Sequence, residues 1–307
     1  MQNTPETVLA FDVGGSHVSA ALCRAGDFTL GPVFSHAHPA SHTSAAFADL
    51  IADLARRAGF TPGSAAGVML AVPGPFDLVA GVSRMQHKLP YLYGVDLRGE
   101  LAARLGCEPL RVRFLNDADA FLLGEVGAGA ARGVARAVGL TLGTGIGSAF
   151  AVQARLVHQG PGVPCEGEIW NVTYEGGIVE DFISTRAILA GYKRRTGVER
   201  QVIDIAAAAP DDAAARVAFE EMGRHLGRMI RTLLCEFRPQ MVVLGGGIAR
   251  SAALFLPAAQ EELPHPAPLL RVSELMDRAA LTGCGVAWSQ SENRPPEHAA
   301  SAAGSAF

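Results

Sequence analysis

The chain has 307 residues and a formal net charge of −4, with 49% hydrophobic and 18% charged residues. This length is enough for two domains with separate cores, and the composition is typical of a soluble globular protein. The slightly negative charge and the absence of a Lys/Arg-rich run leave no electrostatic footprint for nucleic acid or for an anionic membrane. These features argue against both partners and favour a small-molecule ligand.

The cysteines are odd in number and include no C-x-x-C pair, so neither a disulfide framework nor a thiolate zinc site can be inferred from them. No apolar run approaches the roughly 18 residues that would span a bilayer, and the N-terminus lacks a basic region followed by an apolar stretch. We therefore expect a cytoplasmic protein with reduced thiols. The cysteines are Cys23, Cys107, Cys165, Cys235 and Cys284.

Apolar periodicity and turn residues predict the order of elements in the first half of the chain. The order begins strand, strand, strand, helix, strand, which is neither a Rossmann unit nor a plain βαβ unit. We predict two strands over 8–22, a strand near 28–35, a helix over 44–59, a strand over 66–72, a loop-rich segment over 77–93, a helix over 96–105, a strand over 112–115 and a helix over 118–130.

The second half repeats the beginning of this plan. A Gly-rich hairpin again joins two apolar strands, and a long amphipathic helix follows later. The last residues are rich in Ala, Ser, Pro and Glu, which predicts a disordered tail. We predict a hairpin over 138–152, helices over 181–193 and 211–237, a strand over 241–244, a small-residue helix over 282–288 and a tail over 291–307.

The carboxylate pair of residues 116–120 lies between the two Gly-rich hairpins. Glycines in such turns let main-chain N–H groups approach an anion, so the hairpins predict two phosphate-facing turns. Each turn could instead be only a tight hairpin, and Asn116-Asp117 could be a helix N-cap without chemistry. Three Gly-rich turns, at Gly14, Gly143 and Gly245, together favour a nucleotide-binding cleft over turns and caps without a ligand. The second of them does not fit a dinucleotide fingerprint, because a strand rather than a helix follows.

Residues 87–93 leave two alternatives open. His87 and Lys88 are either substrate contacts or ordinary surface residues. Tyr91 and Tyr93 follow closely, and their rings can stack on the apolar face of a sugar. This proximity keeps a role in sugar binding open.

Taken together, these motifs resemble those of the ROK family of sugar kinases. The resemblance covers residues 8–288 and rests on the order and spacing of motifs that are each weak alone. It implies an α/β protein with the duplicated actin-like ATPase (ribonuclease H-like) fold, two lobes around a central cleft, shared with hexokinase and the 70-kDa heat-shock proteins. The motifs are Asp12-Val13-Gly14-Gly15-Ser16, Pro73-Gly74-Pro75-Phe76-Asp77, Asn116-Asp117-Ala118-Asp119-Ala120, Leu142-Gly143-Thr144-Gly145-Ile146-Gly147, Gly167-Glu168-Ile169 and Gly245-Gly246-Gly247-Ile248.

The resemblance also implies a domain organisation. Residues 1–117 would form the N-terminal lobe, with Mg²⁺, phosphate and sugar contacts. Residues 118–281 would form the C-terminal lobe, with ATP and sugar contacts. A C-terminal helix at about 282–290 would pack back on the N-terminal lobe, and residues 291–307 would be the tail. Relatives are commonly oligomers, so a homodimer is expected.

By the same resemblance, ATP and Mg²⁺ are the expected cofactors, and Asp12 would hold Mg²⁺ through water. Phosphoryl transfer needs a cation and N–H groups to spread charge, and a carboxylate to deprotonate the attacking hydroxyl. Asp117 is the predicted general base. The expected sugar contacts are Pro73, Gly74, Asn116, Asp117, Glu168 and Glu180. The expected nucleotide contacts are Asp12, Gly14, Gly15, Ser16, Gly143, Thr144, Gly145, Gly245 and Gly246.

The chain departs from the family pattern after Glu168. ROK kinases usually read Gly-Glu-Ile-Gly-His here, whereas this chain has Trp170 and Asn171 in the last two positions, so the sugar-binding histidine has no clear counterpart. The Cys-rich zinc motif that normally follows is absent, and we predict no structural zinc. The pattern resumes at 180–184, which makes Glu180 the expected sugar contact. Loss of an imidazole that binds a hydroxyl should alter the sugar preference.

The resulting hypothesis is an ATP-dependent hexose kinase that converts glucose to glucose 6-phosphate. A different hexose, an N-acetylhexosamine or a polyphosphate donor is the alternative within the same class. A non-catalytic sugar-binding protein is the alternative of another class. ROK proteins also include repressors with a winged helix-turn-helix before this fold. Because seven residues precede Val8 here, no DNA-binding domain is expected.

Overall fold

The computed structural model of the chain describes residues 7–38, 43–86 and 88–292, to which every structural statement below refers. Helices and strands alternate irregularly along this part of the chain. The strands are β1 (Thr7–Val13), β2 (His17–Arg24), β3 (Phe34–Ala37), β4 (Gly67–Val72), β5 (Phe76–Asp77), β6 (Val82–Ser83), β7 (Val112–Asn116), β8 (Arg136–Leu142), β9 (Ile146–Val152), β10 (Arg155–Leu156), β11 (Thr173–Tyr174), β12 (Gly177–Ile178), β13 (Met241–Gly245) and β14 (Leu269–Val272).

The helices lie between these strands, and short 3-10 turns interrupt several loops. None of the helices within the described ranges is long and apolar enough to cross a membrane. The α-helices are α1 (Ser44–Arg57), α2 (Leu97–Leu105), α3 (Asp117–Ala128), α4 (Val179–Phe182), α5 (Thr185–Thr196), α6 (Val202–Ala208), α7 (Ala213–Leu233), α8 (Leu256–Glu261) and α9 (Ala279–Glu292).

Two sheets of five strands are built on one plan. The first has the order β3-β2-β1-β4-β7, and the second has the order β10-β9-β8-β13-β14. In each sheet an antiparallel hairpin, β1–β2 or β8–β9, is followed by a parallel neighbour, β4 or β13. The repeat confirms the duplicated α/β fold expected from the sequence. It also places both Gly-rich turns at the equivalent end of the two sheets.

Alternation along β1 directs its side chains to two different cores. Leu9 and Phe11 belong to the cluster that includes residues of α1 and α2. Val8 and Ala10 lie on the opposite face, in the cluster that contains residues of α9. A buried strand that is apolar on both faces is typical of a sheet covered by helices on each side. The end of β1, with Asp12, is thereby fixed from both faces.

Helices α3 and α9 cross closely because small residues line the crossing. A Cβ atom on Gly283 would overlap the carbonyl oxygen of Ala120, and one on Gly124 would overlap that of Ala279. Helix α9 also reaches the first sheet, where the Cys284 thiol lies 3.6 Å from the Phe11 carbonyl oxygen. The C-terminal helix therefore packs against both the first sheet and α3. The limits of the two lobes, 1–117 and 118–281, stay a prediction.

Two predicted elements are wrong in their limits for identifiable reasons. The strand expected near 28–35 begins only at Phe34, because Phe28 takes a positive φ of 60° in the turn that leaves β2. The helix expected over 181–193 is broken into α4 and α5. Ser184 between them is extended and donates its hydroxyl to the Glu180 carbonyl at 2.7 Å, which allows the Thr185 N–H to reach the Gly143 carbonyl.

The observed ends of two other helices differ from the predicted ends by a few residues. Helix α7 covers less than the predicted 211–237, because the Asp212 carboxylate caps its first turn by accepting from the N–H groups of Ala214 and Ala215. The final helix is longer than 282–288 and extends to Glu292, two residues into the predicted tail. Residues 293–307 of that tail lie outside the described residues. Helices α6 and α8 and the ribbon β11–β12 had no counterpart among the predicted elements.

Candidate active site

The turn between β1 and β2 is tight and open to a ligand. The Gly14 N–H donates to the His17 carbonyl at 2.9 Å and closes the turn. No atom lies within 4 Å of the position that a Cβ on Gly15 would take, and Ser16 is exposed. The open tip leaves room for an anion, and contact of this turn with phosphate stays a prediction.

Asp12 ends the β1 strand beside this turn. Burial, and after it the negative charges of Asp117 and Asp277, together raise the pKa of its carboxyl to about 7. The nearby negative charges of Asp117 and Asp277 disfavour the ionised form of Asp12, so a cation beside it would stabilise that form.

Asn116 and Asp117 join β7 to α3. The Asn116 side-chain oxygen accepts from the N–H groups of Ala118 at 2.9 Å and Asp119 at 3.3 Å. The N-cap alternative is therefore confirmed for Asn116. The nitrogen of its side-chain amide lies 3.8 Å from the position that a Cβ atom on Gly74 would take. Gly74 follows β4, the strand next to β7. The Asn116 side chain thus caps α3 through its oxygen, while its nitrogen faces the Pro73–Gly74 turn.

The Asp117 carboxyl is partly exposed at the N-terminus of α3. Its pKa is raised, first by desolvation and also by the nearby charge of Asp119, whereas the ammonium of Lys88 acts in the opposite direction. Lys88 is thus electrostatically coupled to Asp117, although its contact with a sugar stays a prediction. His87, its neighbour, lies outside the described residues. A raised pKa is a feature that carboxyl groups acting as general bases often share.

Glu168 joins Gly74 and Asn116 in a small cluster. Its Oε1 atom lies 3.9 Å from the position of a Cβ on Gly74, so glycine leaves a gap between the two segments. Its Oε2 atom accepts a hydrogen bond from the indole N–H of Trp170 at 2.9 Å. The structure thereby brings together three of the predicted sugar contacts, with Pro73 adjacent in the chain.

The second Gly turn has the same open character at its tip. The Gly143 N–H donates to the Gly145 carbonyl at 2.9 Å, nothing lies within 4 Å of a Cβ on Gly143, and Thr144 is exposed. Glu180 lies beside this turn, because its Oε2 atom fills the space of a Cβ on Gly145 and lies 3.4 Å from the Ile146 nitrogen. Glu180 therefore contacts the second hairpin through its carboxylate, while its N–H donates to the Trp170 carbonyl at 3.1 Å.

Gly245 and Gly246 pack the loop after β13 against the end of β8. Gly246 has a positive φ of 80°, and a Cβ there would overlap the backbone of Leu142. A Cβ on Gly245 would overlap the ring of Phe121 on α3. Glycine is needed at both positions for this close approach, which places the loop next to the Gly143 turn.

The segment that replaces the family's Cys-rich motif is held by side chains of α7. Tyr174 on β11 lies 3.2 Å from the His225 Nδ1 atom through its hydroxyl, and its ring meets Phe182 edge-on at 5.3 Å. Glu175 forms an ion pair with Arg228 at 3.8 Å. Across residues 7–38, 43–86 and 88–292, no group of three or more His, Cys, Asp or Glu residues is arranged to hold a metal ion.

Three residues with functional contacts were not singled out from the sequence. Asp277, whose charge acts on Asp12, is bound by Arg250 at 2.6 Å. His158 binds Asp119 at 2.8 Å. No sequence signal marks these pairs, because their members are far apart in the chain and only the tertiary fold brings them together.

Comparison with curated proteins finds both enzymes and a regulator. The chain is 29% identical to the glucokinase of Thermotoga maritima over 221 residues, which are 64% of this chain and 68% of that protein. It is 26% identical to the xylose repressor of Caldicellulosiruptor bescii over 265 residues, which are 77% of this chain and 65% of the repressor. The matched segments thus span about two thirds of each relative.

Solved structures show the same fold over almost the whole chain. The ROK hexokinase from Thermus thermophilus superposes with a TM-score of 0.77 at 24% identity and covers 94% of this chain and 100% of its own. The ROK family glucokinase from Streptomyces griseus, solved with glucose and AMPPNP, gives 0.73 at 21% identity, with coverage of 91% and 98%. The ROK family model matches residues 8–290, and the chain belongs to that family.

Proposed function

We propose that this protein is an ATP-dependent sugar kinase, which transfers the γ-phosphoryl group of ATP to a hexose hydroxyl with glucose as the expected acceptor and glucose 6-phosphate as the product. The observation that carries the proposal is the placement of Asp117. Its carboxyl has a raised pKa and lies at the N-terminus of α3, next to the Gly74, Asn116 and Glu168 cluster. The kinases among the relatives support the same reaction class.

Asp117 is the proposed general base. It would accept the proton of the attacking sugar hydroxyl, and its raised pKa brings it nearer to the operating pH, where proton transfer is most efficient. Glu168 and Asn116, which both approach the Cβ position of Gly74, would orient the sugar. The N–H groups of the turns at Gly14–Ser16 and Gly143–Gly145 would face the phosphate oxygens and spread their charge.

The proposed Mg²⁺ would lie beside Asp12 of β1. A hard cation prefers oxygen ligands and keeps several waters, and its charge would offset the effect of Asp117 and Asp277 on Asp12. Asp12 would hold the ion through water. When bound, Mg²⁺ supplies charge neutralisation to the phosphates of the donor. Gly245 and Gly246 would lie beside the adenosine.

The acceptor could differ from glucose, because Trp170 and the exposed Asn171 occupy the positions of the family's usual Gly and His. Another hexose or an N-acetylhexosamine is therefore the closest alternative, and polyphosphate is the alternative donor. The xylose repressor among the relatives favours a second candidate function, a sugar-binding protein without turnover. Asp12, Asp117 and the open Gly turns favour the enzyme.

The test is an ADP-release assay with Mg·ATP and a panel of glucose, mannose, fructose, allose, glucosamine, N-acetylglucosamine and N-acetylmannosamine. Asp117→Asn is the matched control, because it keeps the shape of the side chain and removes the base. A sugar-dependent rate that the control abolishes supports the kinase and identifies its acceptor. If no sugar is phosphorylated with ATP or polyphosphate while calorimetry detects sugar binding, the binding protein is the better interpretation.

We also propose that the protein is a cytoplasmic homodimer, as its family relationship suggests. Light scattering during gel filtration gives the mass directly. A mass of one chain would rule the dimer out.

A further inference from the structure

Asp119 is a second acidic residue of α3, two positions after the proposed base. Its side chain is buried, with 6% of the residue exposed. It has one recorded side-chain partner, the imidazole of His158, whose Nε2 atom lies 2.8 Å from the Asp119 Oδ2 atom. A buried carboxylate needs such a partner, because an unpaired charge away from water is costly.

His158 begins the loop that leads to Glu168. It follows β10, and the loop ends in a short 3-10 turn over Cys165–Gly167. The far end of the loop is fixed by Ser148 on β9, whose hydroxyl donates to the Gly167 carbonyl at 2.6 Å and accepts from the Ile169 N–H at 3.0 Å. The His158–Asp119 pair fixes the near end. Glu168 is therefore fixed on both sides by Ser148, and the start of the loop that leads to it is tied to the helix that begins with Asp117.

The same pair alters the charge beside Asp117. The carboxylate of Asp119 acts on Asp117 and raises its pKa, so a positive imidazole on Asp119 offsets part of that effect. The hydrogen bond with Asp119 is the main cause that raises the pKa of His158, and the charge of Glu166 acts in the same direction, so the imidazole favours its charged form.

Few other charges face these two sites in the described residues. Asp117 is faced by Asp12 on β1, by Lys88 after β6 and by Asp119 on its own helix. His158 is faced by Asp119 on α3 and, from the 3-10 turn, by Glu166.

We propose that His158 is a positioning residue for the phosphoryl transfer: through its 2.8 Å hydrogen bond to Asp119 it anchors the loop that carries Glu168 and neutralises the carboxylate nearest to Asp117 along α3. This inference rests on the proposed kinase function. It gives a role to His158 and Asp119, which are not among the proposed sugar or nucleotide contacts. A merely structural histidine would anchor the loop without affecting the ionisation of Asp117.

The pH dependence of kcat separates the two roles. His158→Gln keeps a hydrogen-bond donor but loses the charge, so Asp117 should become harder to ionise and the acid limb of the kcat profile should move to higher pH. Asp119→Asn removes the neighbouring charge and should move that limb to lower pH. The double variant should behave as Asp119→Asn alone, because a neutral residue 119 leaves His158 no charge to offset. Glu166→Gln is the matched control and should shift the limb less than His158→Gln.

Loss of the anchor should also weaken sugar binding. His158→Ala removes the hydrogen bond together with the charge and is expected to raise the sugar KM roughly tenfold, whereas His158→Gln keeps a donor and should change the KM less. Unfolding midpoints of the variants within a few degrees of the wild type exclude global destabilisation as the cause. An unchanged acid limb in His158→Gln, or shifts that simply add in the double variant, would overturn the proposal.

A measurement without turnover distinguishes this inference from the kinase assignment. The His158 ring is titrated by NMR and identified as the signal missing from His158→Gln. Its pKa should lie above the ordinary histidine value in the wild type and return towards that value in Asp119→Asn. An ordinary value in the wild type would overturn the inference even if the protein is a kinase. An intact titration with no phosphorylated sugar would instead overturn the kinase assignment and, with it, the role in the reaction.

Discussion

Trp170 donates its indole N–H to Glu168 Oε2 at 2.9 Å, so the residue that replaces the family's usual Gly is bonded to a proposed sugar ligand. The residue is 40% exposed. This bond uses one acceptor atom of Glu168 and fixes the direction of the other, which faces Gly74. The acceptor preference should therefore depend on Trp170 itself.

Trp170→Phe tests this dependence, because it keeps an aromatic ring and removes the donor. Loss of a hydrogen bond to a carboxylate should raise the sugar KM about tenfold with a small change in kcat. Trp170→Gly restores the residue usual in the family and should broaden acceptance of other sugars in the panel. Trp288→Phe, at the buried second tryptophan, is the control and should leave KM unchanged. Equal KM values for Trp170→Phe and the wild type would contradict the assignment.

The raised pKa of Asp117 predicts how the rate depends on pH. A general base must be deprotonated, so kcat should fall as pH decreases through a pKa above the ordinary aspartate value of about 3.9. Lys88→Met removes a charge that lowers this pKa, and the acid limb should then move to higher pH. Asp117→Asn should lower kcat by about 10²–10⁴-fold and leave the sugar KM within a few-fold. A kcat that stays constant down to pH ~4 is incompatible with this base.

Much of the fold followed from local pattern, because its strands are apolar on both faces and its turns contain Gly. The end of β7 at Asn116 and the start of α3 at Asp117 were readable because a strand, an N-cap residue and an apolar helix follow one another directly. The duplicated sheets followed from the family resemblance together with the two similar hairpins.

The site was less predictable where contacts are distant in sequence. The pairing of His158 with Asp119 spans 39 positions, and the bond between Ser273 on the loop before α9 and Glu125 on α3 spans 148. Neither residue type nor spacing marks such partners. The contact between Glu180 and the second hairpin was also not readable from the sequence, and its contact with a sugar stays a prediction.

Asp12 should make the protein less stable at neutral pH than at acidic pH. Its pKa is raised to about 7 in the folded state, so the folded protein binds its proton more tightly than the unfolded chain does. The resulting stability is fully present below the unfolded pKa of about 3.9 and is lost as pH rises through about 7. Asp12→Asn removes this dependence and should raise the free energy of unfolding at pH 8 relative to wild type.

Urea unfolding at pH 5 and pH 8 in the absence of Mg²⁺ measures this effect, with the exposed Asp204→Asn as the control. The Asp12→Asn variant should be more stable than the wild type mainly at pH 8. It should also lose kinase activity, because the substitution removes the proposed Mg²⁺ contact. A gain of equal size at both pH values would show that ionisation of Asp12 is not its cause.

Gly283→Ala tests the crossing of α3 and α9. Alanine favours a helix over glycine by about 1 kcal/mol, which alone would stabilise α9. The new methyl group would overlap the carbonyl oxygen of Ala120, and overpacking of a tight contact costs typically about 1–3 kcal/mol. Because the overlap is with backbone atoms, which cannot rotate away, we expect the larger, unfavourable effect to dominate. The variant should have a lower unfolding midpoint.

Gly26→Ala is the matched control, because no atom lies within 4 Å of its Cβ position. It should leave the midpoint within a degree or two of the wild type, whereas Gly283→Ala should lower it by several degrees. A Gly283→Ala protein as stable as the control would show that the two helices can separate without cost.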